Sequence, residues 1–295
     1  MPADTSLLAS LRDAVALSTV QVLRAVPGSW ARRTRRDLRD AVWLRHADAV
    51  IISFPKSGRT FVRAMLSRLF QRRFGIDERR LLEFPTLLLA GPEVPRLLFT
   101  HAGDAMRTAG EIRLDPARYA HCRAVLLARH PGDVAVSRYH HLKHRSRDPA
   151  RRRLAEQPLD TFVWSEQGGI PAIARFMNQW AELARQRNDV GIVRYEDFLS
   201  DPRSTLRKLA NVIRLEASDA EIADAAEFGS LTNMKQRERE GYFESSRLQA
   251  ARKGDDASYK VRSGTSGGYR KRLAPDNAAK VDAFVADHLD PIFGY

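Results

Sequence analysis

The segment that most constrains the fold runs from Ala49 to Phe70, AVIISFPKSGRTFVRAMLSRLF. An apolar run, Ala49 to Ser53, ends at Phe54-Pro55 and is followed by Lys56-Ser57-Gly58-Arg59-Thr60. Apolar residues then recur at helical spacing at Phe61, Met65, Leu66, Leu69 and Phe70. The order predicts strand, tight turn, helix. Such a turn presents backbone N–H groups and the positive end of a helix dipole to an anion. Lys56, Ser57 and Thr60 add donors, and Gly58 lets the backbone approach closely. The segment therefore predicts a binding site for a phosphate-like group.

The unit repeats from Cys122 to Leu142, CRAVLLARHPGDVAVSRYHHL. Its strand is Arg123 to Ala128, its turn Arg129-His130-Pro131-Gly132, and Asp133 suits a helix start. A third strand, Val190 to Arg194, leads into Tyr195-Glu196-Asp197. Strands alternating with helices predict an α/β fold with a central parallel sheet flanked by helices on both sides. Ligands of such sheets sit at the carboxyl ends of the strands, where both turns fall. Further along, Asp201-Pro202 opens a helix over 203–213, and residues 278–289 have helical character. The basic stretch Arg145 to Arg153, broken by Pro149, reads as a loop. The mixed-charge stretch Lys235 to Tyr259 reads as a mobile loop or lid.

Residues 1–48 differ from the rest and are expected to form a basic, amphipathic helical extension to a domain spanning 49–295. Leu8, Leu11, Val15, Val22 and Val26 make a helical stripe, followed by Arg32, Arg33, Arg35, Arg36 and Arg39. A segment of this kind can lie on an anionic membrane surface, or it can pack on the main domain. No run of 18 apolar residues and no signal-peptide pattern occur, so a cytoplasmic protein is expected, with peripheral binding to the inner membrane face open. The lone Cys122 rules out an intrachain disulfide framework.

The net charge is +13, and only eight of the 49 basic residues are lysine. Arginine forks suit phosphate and sulfate, so an anionic ligand is a fair inference, although genome base composition also enriches arginine. Nucleic acid is not expected as a partner. No RNA- or DNA-binding module is recognisable, and the aromatics do not interleave with the basic runs.

The first turn is not a Walker A loop, because its lysine precedes the glycine and G-x-x-x-x-G-K-[ST] is absent. A nucleoside triphosphatase or kinase is therefore disfavoured, though it remains an alternative from another class, beside a non-catalytic anion-binding protein. Arg129 and Ser137 could both reach one anion over the second turn. The late segment Val261 to Arg270, VRSGTSGGYR, offers a flexible set of backbone donors. No metal is expected: His140 and His144 share a helix face but have no obvious acidic partner.

Together, FPKSGRTF, RHPGDVAVSRYHH and RSGTSGGYRK, in that order, resemble the sulfotransferases that use 3′-phosphoadenosine 5′-phosphosulfate (PAPS), in particular their cytosolic type. The resemblance covers Ala49 to the C-terminus and implies a P-loop-like three-layer fold. It implies transfer of a sulfuryl group from PAPS to an acceptor hydroxyl, releasing adenosine 3′,5′-diphosphate, with no metal. Lys56, Ser57, Gly58, Arg59 and Thr60 would cradle the 5′-phosphosulfate. Arg129 and Ser137 would bind the 3′-phosphate, with Arg262, Ser263 and Gly264 closing over it. Phe61, Tyr195, Ser230 and Met234 fall at adenine-contacting positions. His101, in RLLFTH, is the implied catalytic base, Lys56 meets the leaving oxygen, and Ser137 holds Lys56 aside until the acceptor binds.

The segment also departs from the family pattern. Phe99 stands where many relatives have lysine, and Arg59 replaces a small hydroxyl residue and could supply the missing charge. Ser263, Gly268 and Tyr269 replace a lysine, an aspartate and a tryptophan, and Leu231 a phenylalanine. Ala274 and Pro275 do not fit the family's dimer motif, so the oligomeric state stays open. The basic N-terminus and the Arg145 to Arg153 stretch point to a carbohydrate, glycolipid or other lipid-linked alcohol as acceptor. A small phenol or alcohol is the alternative.

Overall fold

The computed structural model describes residues 13–22, 31–103, 107–146, 148–245, 248 and 264–295. Four strands form one sheet: β1 (Ala49–Ile52), β2 (Leu97–Thr100), β3 (Arg123–Ala128) and β4 (Val190–Arg194). Their order is β2-β1-β3-β4, and every pairing is parallel. The chain moves from β1 outward to β2, then returns across β1 to β3 and β4. The reversal falls between β1 and β3, so the two predicted turns share the crevice at their carboxyl ends.

Both faces of the sheet are covered, which is why β1 is apolar at every position and wholly buried. Alternate residues feed opposite layers. Val50, Ile52, Ala124 and Leu126 pack with α5 (Ile170–Gln186) through Ile173, Met177 and Trp180. Ala49, Ile51, Val125 and Leu127 pack with α2 (Arg59–Phe74) and α6 (Pro202–Val212). The three-layer architecture read from the sequence is thus present, with strand ends within a residue of those expected.

α2 is more than an amphipathic cover. Residues Val62 to Leu66 are all buried, as are Ser67, Leu69 and Phe70. One side meets the sheet, and the other meets Phe228 at the end of α7 (Asp219–Phe228) and Met234 of α8 (Leu231–Glu240). Buried Arg63 is satisfied by the Leu82 carbonyl and lies 4.0 Å from the Phe99 ring centre. Two loop expectations are corrected. Residues 235–240 are the second half of α8, closed by Gly241 at φ 69°. The stretch 145–153 is largely helical: α4 (Pro131–Arg145) reaches Arg145, and a short helix starts at Pro149, a residue suited to a first turn. Residues 246–247 and 249–259 of the expected lid lie outside the described residues.

Residues 13–22 are helical, and α1 (Ala31–Leu44) follows. Ala16 and Val20 join the core beside Trp43 and Leu44, whereas Val15 and Val22 of the expected apolar stripe are exposed. Leu8, Leu11 and Val26 lie outside the described residues. The contact is pinned by buried Asp13, which accepts from Arg96 at 2.8 Å and lies 3.2 Å from His46 Nδ1. Trp43 stacks on Phe84 at the start of α3 (Phe84–Leu89), ring centres 5.4 Å apart. No described helix is long and apolar enough to cross a membrane. Removing the Asp13 carboxylate leaves Arg96 and His46 facing a lost acceptor. Asp13→Ala is expected to cost about 2 kcal/mol in urea unfolding, and Asp13→Asn less.

Candidate active site

The loop between β1 and α2 turns by placing two nearby residues in the left-handed region, Lys56 at φ 84° and Gly58 at φ 91°. A lysine at positive φ is strained by about 1–3 kcal/mol and persists only where its surroundings hold it. Gly58 is demanded twice. Its φ favours glycine, and a Cβ there would stand 2.3 Å from Cδ2 of Tyr195. Ser57 is buried, and its N–H donates to the Phe54 carbonyl at 3.3 Å. Beyond Gly58, which caps it, α2 directs its first N–H groups out of the helix end toward any anion in the loop.

Arg129, at the end of β3, ties this loop to two other segments. Nη1 donates to the Lys56 carbonyl at 3.2 Å, and Nη2 donates to the Thr265 carbonyl at 3.4 Å. Its guanidinium also lies 4.5 Å from the Tyr195 ring centre. Arg129 thereby joins the loop after β1, the start of the last segment and the β4 exit. Burial raises the Tyr195 phenol above its ordinary range, the nearby Arg129 opposing it. The ring serves as a neutral platform.

Asp133, expected only as a helix-start residue, has a second task that the sequence reading missed. Its carboxylate accepts from the N–H groups of Gly267 at 2.8 Å and Tyr269 at 3.0 Å, so it anchors the late glycine-rich loop. The neighbouring His130 caps α4, accepting from Gly132 N–H at 3.2 Å, and stacks on Tyr269 with ring centres 4.6 Å apart. His130 N–H donates to Glu196 Oε1 at 3.0 Å, and Tyr295 donates to Oε2 of the same carboxylate at 2.7 Å. The signal in the sequence is Tyr269, which stands where the family pattern has a tryptophan and which stacks on His130.

His101 follows β2 and faces the loop from the other side. Nδ1 lies 2.7 Å from the Ser53 carbonyl. A carbonyl only accepts, so Nδ1 carries the proton and Nε2 carries the lone pair. Arg59 Nη2 donates to that Nε2 at 2.8 Å. Arg59 thus places positive charge beside the end of β2, where Phe99 departs from the family pattern.

Most expected site residues converge on one cavity of about 310 Å³. Lys56, Thr60, Arg129 and Ser137 line its polar part. Phe61, Leu231 and Met234 form an apolar shelf, with Tyr195 edge-on to Phe61 at 5.9 Å. His101, Arg138, His141, Leu142 and Leu248 line the same cavity. Gly264, at φ 58°, reaches the rim and packs on Leu231, where a Cβ would lie 2.6 Å from Cδ2. Ser230 is not a lining residue. It caps α8, its hydroxyl accepting from Asn233 N–H at 3.3 Å, and so sets Met234 in place. Arg262 and Ser263 lie outside the described residues. Cys122 is buried, which pushes its thiol up to about 11 and leaves it unreactive. Among the described residues, no group of three or more His, Cys, Asp and Glu could hold a metal ion.

The fold and the crevice define an α/β protein with a cavity lined by basic and polar side chains at the β1 and β3 ends. The sulfotransferase domain profile matches residues 92–292, and the chain belongs to that family. Cytosolic sulfotransferase 3 of Arabidopsis thaliana is 22% identical over 252 residues, covering 82% of this chain and 76% of the relative. Cytosolic sulfotransferase 7 of the same plant is 23% identical over 269 residues, with 82% and 79% covered. Among solved structures, mouse sulfotransferase SULT7A1 complexed with PAP aligns with a TM-score of 0.57 at 18% identity, covering 83% of this chain and 85% of that one. Retinol dehydratase in complex with androsterone and inactive cofactor PAP aligns with a TM-score of 0.58 at 17% identity, covering 85% and 84%.

Burial at the Tyr269 stack lowers the His130 imidazole from 6.5 to about 4, the nearby Asp133 opposing the shift. The native state therefore keeps His130 neutral where the unfolded chain protonates it. The unfolded state binds the extra proton between pH 6.5 and about 4, so stability falls as pH drops through that window. The full loss is roughly 3 kcal/mol. His130→Asn keeps a capping side chain without the titration. Its urea midpoint is expected to change less between pH 7 and pH 4.5 than that of the unsubstituted protein.

Proposed function

We propose that this protein transfers a sulfuryl group from PAPS to an acceptor hydroxyl, with His101 as general base and adenosine 3′,5′-diphosphate as product. The observation that carries the reading is the tautomer of His101. The Ser53 carbonyl fixes the proton on Nδ1, which leaves Nε2 as the basic atom on the cavity wall that also holds Lys56. The loop of Lys56 to Thr60, at a helix N-terminus, suits the 5′-phosphosulfate. Arg129 and Ser137 suit the 3′-phosphate, with Arg262, Ser263 and Gly264 assigned to close over it. The shelf of Phe61, Leu231 and Met234 beside Tyr195 suits the flat face of adenine. Ser230 acts on that shelf through Met234.

In this scheme the acceptor oxygen bonds to sulfur as the bond from sulfur to the bridging phosphate oxygen breaks. The acceptor's hydroxyl proton passes to His101 Nε2. Lys56 offsets the charge that gathers on the bridging oxygen, and Ser137, on the same cavity wall, holds the Lys56 ammonium aside beforehand. Much of the acceleration comes from alignment of donor and acceptor. His101→Ala and Lys56→Ala are each expected to lower turnover by about 10²–10⁴-fold with the thermal unfolding curve unchanged. Arg129→Ala should weaken calorimetric binding of adenosine 3′,5′-diphosphate at least tenfold. Full transfer by His101→Ala, or unchanged affinity in Arg129→Ala, would remove those assignments.

For the acceptor, we propose a carbohydrate, glycolipid or other lipid-linked alcohol, and the walls around His101 favour the lipid-linked members. Leu142 and Leu248 line the same cavity as His101, and Phe54, Phe176 and Trp180 line a smaller one that His101 also borders. The same walls suit a small phenol, the second reading. Sulfur-labelled PAPS offered with glycolipids, long-chain alcohols, simple sugars and phenols should label an apolar member first. Labelling of free sugars alone would overturn the preference. Peripheral binding to an anionic membrane is part of the same proposal. The full chain should float with anionic but not with neutral vesicles.

A further inference from the structure

We infer that Arg59 is a positioning residue that holds the base His101 out of use until the sulfonate of the donor arrives. The inference rests on the reading of the site as a PAPS site.

Arg59 is the first residue of α2, so its backbone borders the loop assigned to the phosphosulfate, yet its side chain reaches across to the end of β2. Nη2 lies 2.8 Å from His101 Nε2. Because Nδ1 is committed to the Ser53 carbonyl at 2.7 Å, Nε2 is the acceptor in that contact. The guanidinium thus sits on the one lone pair that can take the hydroxyl proton. While it stays there, a proton arriving at Nε2 would set two cations side by side, and a hydroxyl approaching the imidazole would find a donor in its place.

An anion in the loop changes the balance. A hydrogen bond from a guanidinium to an ionised oxygen is stronger than one to a neutral ring nitrogen, and a sulfonate offers the fork several oxygens. The loop brings such a group to the root of the Arg59 side chain. Arg59 then turns from His101 to the sulfonyl oxygens, and Nε2 becomes available to the acceptor. One residue thereby couples donor occupancy to base competence. A nucleotide that lacks the sulfonate should not trigger the exchange.

The test uses the full chain labelled with ¹⁵N-histidine, with the His101 resonances assigned by their loss in His101→Gln. Spectra are taken free, with adenosine 3′,5′-diphosphate, and with PAPS in the absence of acceptor. The Nε2 resonance is expected at a hydrogen-bonded position in the free protein and with the diphosphate. It should move several parts per million toward the free-lone-pair position with PAPS. Arg59→Thr, which restores the small hydroxyl of the relatives, should show the moved position in all three states, and Arg59→Gln serves where Thr does not fold. The same Nε2 position in Arg59→Thr and the unsubstituted protein would overturn the clamp. Equal shifts with both nucleotides would overturn the sulfonate trigger. Absence of calorimetric binding of either nucleotide would sink the PAPS reading itself, and the free-state comparison with Arg59→Thr then decides the clamp alone.

Discussion

The contact between Gly58 and the Tyr195 ring is the constraint on which the site depends. The chain turns sharply at the end of β1 with a glycine, because any Cβ there would run into that ring. The ring in turn carries Arg129, whose guanidinium reaches the Lys56 carbonyl and the Thr265 carbonyl. Three segments far apart in the chain therefore meet through one close approach of backbone to ring and one arginine. The strained φ of Lys56 is held by this assembly, and any shift of Tyr195 would reach the loop directly.

The arrangement divides the labour between fixed and movable parts. Arg129, Asp133 and Tyr195 are each tied to backbone or to a neighbouring ring, which suits groups that shape a binding surface. Arg59 and Lys56 are long side chains on the loop itself, and they are the groups assigned to move.

The sequence disclosed most of the frame. The strands β1, β3 and β4 were legible because apolar runs ended at turn residues, and the family resemblance followed from three motifs rather than from one. Less legible was whatever depended on distant partners. The amphipathic reading of α2 missed that α7 and α8 cover its outer side, and that the segment at Leu82 takes in Arg63 and Ser67. The stripe at Val15 and Val22 pointed to the wrong face because Ala16, a small residue, makes the close packing. The polar stretch from Lys235 looked like a loop, although its first residues complete a helix that begins under the Ser230 cap. Asp133 and His130 were visible as a helix start, while their hold on the late loop and on Tyr269 required the third dimension.

The net charge of +13 invited a search for an anionic partner. In the folded chain, many arginines act as internal staples. Arg187 donates to the Tyr119 and Cys122 carbonyls, Arg194 to those of Phe293 and Gly294, and Arg237 to that of Phe228. Each joins two backbone segments through a planar fork that a lysine ammonium cannot reproduce. The basicity is therefore partly a matter of carpentry. The routine exchange of arginine for lysine, harmless at most protein surfaces, would here pull joints apart while leaving the isoelectric point almost untouched.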